Sequence, residues 1–469
     1  MSSPPGTPPG HIPEDDSSYR FHQDGTACEW CEAYFPGSYH PVHIEDVYHD
    51  RYRVIRKLGY GSFSTVWLAF DMHSSCYRAL KILTASADQQ AGCSTELLLH
   101  SRLTGNNAYY RHIVSLIDSF NHSGPNGIHL CLVYEVMGPN VNTMLRLSPQ
   151  CRIGEDWERR FPTQWTRRIL RDALLGLQFL HGEGIVHGDF HLGNILFTTK
   201  LACPTPDHIE GLLQYPDVHN MLRRIDGKID LWAPKYLLEP KSLYNYTSLD
   251  LDPLVKVSDL GGAYLQGTKP TAIVMPAYLR APEVVLGDRL GIGVDIWSFG
   301  CLVFELLTSH PLFFVENLSG ERYDELTNDE HLIQITETIQ PLPTSFFKRW
   351  PRAHMYFGPN GERLGNDDLE RSSDVEPAGE LFGPEDALSE LDEGGISNPG
   401  IDADSQSQVS LASSRRFDSI EKRFRAVKPA DIDEREEEEV IGLMRLALHP
   451  DPAKRASAAQ LLQQPWFQQ

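Results

Sequence analysis

One short run limits what this chain can become. Residues 58–66 read L-G-Y-G-S-F-S-T-V, and Ala79-Leu80-Lys81 follows a few turns of sequence later. The pattern predicts a strand, a glycine turn, a second strand, and a lysine on a third. Gly59 and Gly61 have no Cβ, so the backbone can close over a polyphosphate and offer it N–H groups, while Lys81 brings a point charge for phosphate oxygens. With Leu58, Ser62, Val66 and Ala79 around them, these residues make half of a nucleotide site. A G-x-G hairpin is also ordinary turn chemistry, so the half-site needs support from the rest of the chain.

That support lies downstream. Residues 163–181 place Ile169, Leu170, Ala173, Leu174, Leu177 and Leu180 on one helical face and run into Gly182 and Gly184, which can stop a helix. The stretch I-V-H-G-D-F-H-L-G-N-I-L-F begins at Ile185, and its apolar flanks pin Asp189 and Asn194 on one turn. Asp259 follows at a strand end in V-K-V-S-D-L-G-G. A carboxylate to accept a hydroxyl proton, with an amide and a second carboxylate to hold Mg²⁺ against phosphates, is the set that phosphoryl transfer requires. Next come Arg280-Ala281-Pro282-Glu283, D-I-W-S-F-G from Asp295, and D-P-A-K-R ending at Arg455.

These elements, in this order, resemble a eukaryotic protein kinase, and more narrowly the SR-protein kinases and their fungal relatives. The residues that carry the narrower likeness are P-G-S-Y-H-P-V at 36–42, R-Y-R-V-I-R-K-L-G-Y-G-S-F-S-T-V-W-L at 51–68, D-L-G in place of D-F-G, and a long interruption before Asp259. The resemblance covers 34–467 apart from inserts. It implies an α+β bilobal fold, with a small antiparallel lobe at 48–138 and a larger helical lobe at 139–467. It also implies ATP and Mg²⁺ as cofactors, with Asp189 as base and Asn194 and Asp259 on the metal. Lys81 would be held by Glu96, from S-T-E-L-L-L-H-S-R-L at 94–103, read as a helix capped by Ser94 or Thr95. Tyr134 falls at the gatekeeper position, and the backbones of Glu135 and Met137 would face adenine. Glu283, Asp295 and Arg455 are structural supports, Glu283 and Arg455 as a buried ion pair.

The chain departs from the general kinase pattern at several positions. Gly188 stands where most kinases carry an Arg that reads a phosphorylated activation loop, as in the SR-protein kinases, which implies activity without that phosphorylation. Ser64 replaces the third glycine of the loop. His191 stands where serine/threonine kinases hold the γ-phosphate with lysine, and Pro276 where they keep a bridging threonine. A neutral imidazole donates one hydrogen bond where lysine brings a full charge. His191 is therefore grouped with the catalytic residues, and the acceptor, Ser/Thr or Tyr, stays open at this point. H-G-D-x-H-x-G-N also looks like the loop of aminoglycoside and choline kinases. A-P-E, D-I-W-S-F-G and Arg455 speak against that rival. A pseudokinase scaffold is opposed by the presence of Lys81, Glu96, Asp189, Asn194 and Asp259 together. The expected activity is transfer of the ATP γ-phosphoryl group to Ser/Thr hydroxyls of basic, Arg/Ser-rich RNA-processing proteins.

Net charge, −22, says little until it is located. Thirteen Asp and Glu against one Arg lie at 366–414, and eight against one at 1–49, in stretches rich in Ser, Gly and Pro. So 1–33 is expected as a disordered tail and 366–414 as an acidic low-complexity insert, with 198–254 a short counterpart of the SR-kinase spacer. A local cluster, Glu316, Glu321, Asp324, Glu325, Asp329 and Glu330, is opposed only by Arg322 and would form the acidic docking groove for basic protein substrates that the resemblance implies. Cys28 and Cys31 form a lone C-x-x-C without the second pair a zinc site wants. The first ten residues have neither a basic start nor an apolar core, and the apolar run at 296–307 carries Glu305 and is too short for a bilayer. A monomer of the cytoplasm and/or nucleus, without direct nucleic-acid or membrane contact, is the expectation.

Overall fold

The computed structural model describes most of the chain. Residues 1–5, 9, 23–24, 26, 86, 104–107, 153–158, 202–211, 216–220, 248, 271, 316–320, 360 and 365–415 lie outside the described residues, as do the side chains of 87–94, 108–109 and 321–324. The acidic insert foreseen at 366–414 falls wholly in that excluded set.

Alternating apolar residues around the glycine turn form an antiparallel sheet in the order β1-β2-β3-β4-β6-β5. Its strands are β1 (Val47–Tyr48), β2 (Tyr52–Gly61), β3 (Ser64–Asp71), β4 (Cys76–Leu83), β5 (Leu116–Gly124) and β6 (Gly127–Tyr134). Register does the positioning: Val66 lies opposite Lys81, and Ala79 opposite Tyr134. The period of two sends Val54, Trp67 and Leu80 to one apolar cluster and Ile55, Leu68 and Tyr77 to another. The first cluster takes in Leu238 and the second Leu212 and Leu243, so the segment expected as a spacer covers the small lobe.

In the larger lobe the Thr163–Gly182 helix buries the six apolar residues of its sequence stripe, and Gly184 at φ +68° turns the chain away. The Gly293–Thr308 helix is buried nearly all round, with Trp297 stacked on Phe313 at 6.0 Å between centroids. Two short antiparallel pairs bring the polar loops together. β7 (Ile185–Val186) pairs with β10 (Tyr264–Leu265), and β8 (Ile195–Phe197) with β9 (Val255–Val257). The helix foreseen at 94–103 starts earlier, spanning Ala87–Arg102.

The tail foreseen at 1–33 is corrected. Phe21, Cys31, Ala33 and Tyr34 are buried together with Leu237, more than 200 residues away in sequence. The Arg20 side chain reaches Glu32 at 3.0 Å and Asp230 at 3.4 Å, and Arg224 also binds Asp230 at 2.6 Å. Backbone bonds from His22 to Arg223 and from Ile225 to Arg20 stitch the two segments. A polar average hid three or four apolar residues whose partners lie in the insert, a pairing that no local pattern announces. We call residues 15–42 the strap.

His40, on the strap, has the rings of His122 and His129 at 4.7 and 4.8 Å. Burial, and then these neighbours and His43, push its pKa from 6.5 down to about 2. Burial also lowers His122 and His129, with Asp46 opposing at His122. The fold keeps His40 neutral while the unfolded chain protonates it near pH 6.5. Stability is therefore full above that value and lost progressively as pH falls from it toward about 2. Thermal melts between about pH 7.5 and 4.5 are expected to decline more steeply than those of a His40→Gln variant. Equal slopes would place the acid sensitivity elsewhere.

Among the described residues, no helix is long and apolar enough to cross a membrane, and no group of three or more His, Cys, Asp and Glu could hold a metal by itself.

Candidate active site

The sheet and the helical lobe enclose a cavity of about 470 Å³, within the usual range for a small-molecule site. Leu58, Gly59, Gly61, Val66 and Ala79 line its roof, Tyr134, Glu135 and Met137 its back, and Asn194 and Asp259 its floor. Ser62 sits exposed at the hairpin tip outside this lining, while Ser64 lies within it. Sequence reading missed Pro240, Ser242 and Leu243, which extend the wall from the insert.

Lys81 is the charged centre. Its ammonium lies 3.0 Å from Glu96 and 2.9 Å from Asp259. Burial works against the charge, yet Asp259 and Glu96 together hold the lysine pKa above its ordinary value. Conversely, Lys81 pulls the Asp259 carboxyl, which is about half exposed, down to about 2. The Tyr134 hydroxyl donates to Glu96 at 2.7 Å and fixes the carboxylate that fixes the lysine. Behind the cavity, Glu135 accepts from Lys256 at 2.7 Å and from the Ser115 N–H at 2.8 Å, a brace that the sequence did not reveal. Asp259 has φ +60°, an uncommon conformation for a non-glycine residue and one that concentrates at functional sites.

The loop at 187–194 is tied down from below. Asp295 accepts the N–H of His187 at 2.8 Å and of Gly188 at 2.9 Å, and its carboxylate also meets His181 at 2.8 Å. Gly188 has φ +72°, and a Cβ there would come within 2.7 Å of the Gly262 carbonyl. An arginine at this position would require that backbone to move. Asn194 spends its amide N–H groups on Asp189, 2.9 Å from the backbone oxygen and 3.3 Å from Oδ2, which leaves its carbonyl oxygen for a hard cation. Together with the Asp259 carboxylate this oxygen donor set fits Mg²⁺. Asp189 Oδ1 is buried and has no hydrogen-bond partner among the described residues.

His191 accepts the Gly193 N–H on Nδ1 at 3.0 Å, so in the neutral ring the proton sits on Nε2, which lies 3.6 Å from Asp189 Oδ2. The imidazole covers Gly193 so closely that a Cβ there would lie 2.6 Å from the ring. Glycine at 193 and histidine at 191 are therefore a matched pair. Under the loop, Glu305 has a buried carboxylate oxygen without a partner among the described residues; burial raises its pKa to about 7, and His191 pulls the other way.

Glu283 and Arg455, expected as a buried ion pair, do meet. Arg455 donates to Glu283 at 2.6 and 3.0 Å, both side chains are almost wholly buried, and the guanidinium lies 5.1 Å from the Trp297 ring. A profile of the protein kinase domain matches residues 52–207 and 243–467. The chain belongs to the protein kinase family, among its SRPK serine/threonine kinases. Serine/threonine-protein kinase SRPK of Physarum polycephalum is 31% identical, covering 71% of this chain and 77% of its own. Protein kinase dsk1 of Schizosaccharomyces pombe is 28% identical over 71% and 74%, and human SRSF protein kinase 3 is 24% identical over 70% and 79%. A crystal structure of a kinase domain superposes with a TM-score of 0.56 at 21% identity, covering 91% of this chain and 98% of the other, which supports the shared fold. The gap in the kinase profile, 208–242, falls within the insert that packs on the strap.

The acidic cluster needs correction. Glu316 and the side chains of Glu321 and Asp324 lie outside the described residues. Asp329 is buried, accepting from Trp350 at 2.7 Å and Tyr356 at 2.9 Å and pairing with Arg352 at 2.7 Å, so it ties the middle of the Glu321–Thr338 helix to residues 350–356 and is closed to a docking peptide. Glu325 is exposed but shares Arg352 at 2.9 Å, and Glu330 is half-buried. Aromatic and arginine partners about 25 residues downstream neutralise part of what looked like a uniformly acidic surface.

Proposed function

We propose that this kinase transfers the γ-phosphoryl group of ATP to Ser/Thr hydroxyls in basic, Arg/Ser-rich protein segments. The observation that carries the chemistry is the unpartnered Asp189 Oδ1: Asp189 is outside the lining of the cavity but is bonded to Asn194, which is part of that lining with Lys81 and Asp259. Asp189 orients the acceptor hydroxyl and takes its proton, and Lys81, braced by Glu96, positions the phosphates. Asn194 and Asp259 would hold Mg²⁺, which when bound neutralises phosphate charge. The Glu135 and Met137 backbones face the adenine ring. Positioning and fixed charge supply most of the acceleration. The substrate class rests on the names of the relatives, SRPK and SRSF protein kinase among them, with Glu325 and Glu330 the described remnant of the acidic cluster.

The test is to incubate the full chain with labelled ATP and Mg²⁺ beside an Arg-Ser repeat peptide, an acidic casein-like peptide and an aminoglycoside. Label is expected in the Arg-Ser peptide, on serine. Label in the aminoglycoside alone would overturn the protein-kinase chemistry, and preference for the acidic peptide would overturn the substrate class.

His191→Lys is expected to keep turnover within about tenfold of the parent, because the lost acceptor for the Gly193 N–H is a single partly exposed hydrogen bond of ~1 kcal/mol. The added charge can reach the phosphates from the same position. A steady-state assay that found a hundredfold loss would give His191 a chemical role of its own.

A further inference from the structure

The strap and the insert grip the small lobe at the strand that leads into the glycine turn. Near the end of β2 the pairing with β3 slips between Lys57 and Gly59 and then resumes from Gly59 opposite Val66 to Gly61 opposite Ser64, so the turn is an intact hairpin whose angle to the rest of the sheet is set at the slip. Gly59 and Gly61 stand in open space, where an added Cβ would meet no atom within 4 Å. No packing presses on the two glycines from outside, so contacts at Lys57 and at Gly61 are the ones that aim the hairpin.

Both ends are held by the strap. Lys57 is fully buried and its ammonium pairs with Glu29, whose other carboxylate oxygen accepts the Tyr34 hydroxyl at 2.6 Å. The backbone of Lys57 is gripped from the insert: its N–H donates to Gln214 at 3.0 Å and its carbonyl accepts the Lys241 N–H at 2.9 Å. At the far end the Tyr39 hydroxyl donates to the Gly61 carbonyl at 2.7 Å. Burial, with Glu29 second, pushes the Tyr39 pKa up to about 12, so it remains a donor at neutral pH. The next stretch of insert, Pro240, Ser242 and Leu243, walls the same cavity.

We propose that Glu29 and Tyr39 are positioning residues for the nucleotide: by fixing Lys57 and Gly61, the strap holds the glycine turn in the pose that closes over the phosphates. Neither side chain lines the cavity, so both act through the turn. The inference rests on reading the cavity as the nucleotide site. Its chemical logic is pre-organisation: a turn already held in its binding pose loses less freedom when the ligand arrives.

Tyr39→Phe removes one hydroxyl and keeps the ring packing. In the full chain the KM for ATP is expected to rise about three- to tenfold, the range for one lost hydrogen bond, with kcat at saturating ATP within about twofold and the melting temperature nearly unchanged. Glu29→Gln should raise the KM in the same direction, and here the melting temperature also falls because the buried Lys57 charge is stranded. Affinity for a fluorescent ATP analogue, measured without peptide, should weaken in parallel in both variants. Unchanged KM and analogue affinity in Tyr39→Phe would overturn the inference and leave the strap merely structural, whatever Glu29→Gln did to stability. Failure of the parent protein itself to bind the analogue would instead sink the nucleotide reading, and this inference with it.

Discussion

Asp189→Asn is expected to lower turnover by a factor of about 10² to 10⁴ while affinity for nucleotide stays within about twofold. The carboxylate is replaced by an amide that cannot take a proton, and the substitution is nearly isosteric. Asn194 Nδ2 can keep its 2.9 Å bond to the backbone oxygen of residue 189, so the loop retains its shape. The contacts of Lys81 with Glu96 and Asp259, on which the phosphates depend, are untouched. Single-turnover phosphorylation of the peptide, with analogue binding measured in parallel, separates the two quantities. A variant that lost nucleotide affinity as well would show that Asp189 shapes the floor of the cavity. A variant with nearly full turnover would remove the general base from the proposed mechanism.

Glu283→Ala is expected to cost about 3 to 5 kcal/mol of stability, the usual penalty for leaving one member of a buried ion pair alone. Arg455 sits with about 1% of its side chain exposed, and Glu283 with about 3%, so water cannot replace the lost carboxylate. Its remaining hydrogen-bond partners, the carbonyls of Gly293 at 2.7 Å, His449 at 3.0 Å and Pro450 at 3.5 Å, do not balance the charge. Denaturant unfolding of the folded fraction would measure the loss. Replacing both residues, Glu283→Met with Arg455→Met, is expected to recover much of the stability, since two apolar side chains bury without a charge penalty. Equal destabilisation in the single and double variants would mean that packing against Trp297, and not charge, dominates at this position.

Much of the candidate site was legible because it is made from short runs whose chemistry constrains the backbone around them. Glycines at 59 and 61, the H-G-D-x-H-x-G-N loop and the D-L-G turn each need a particular local geometry, and the sheet register and the β8–β9 pair bring them together. The matched His191 and Gly193 could also have been read from their spacing, but only once the ring was known to fold back onto the chain. Asp329 went the other way. Its neighbours in sequence are acidic, and its partners Trp350, Arg352 and Tyr356 were invisible to any local reading of charge.

The sequence by itself determined the kinase fold, because its motifs and helix and strand periods act over short stretches of backbone, while the pairing of Glu283 with Arg455 came from the resemblance to protein kinases. The tertiary structure alone decided that residues near the N-terminus are a strap, that the insert walls the nucleotide cavity, and that Glu29 reaches Lys57. Those contacts join segments separated by about 28 to more than 200 residues, and their apolar members are too few to leave a period in the chain. A buried charge finds its partner through the fold, and composition averaged over a polar stretch cannot show which of its residues will be covered.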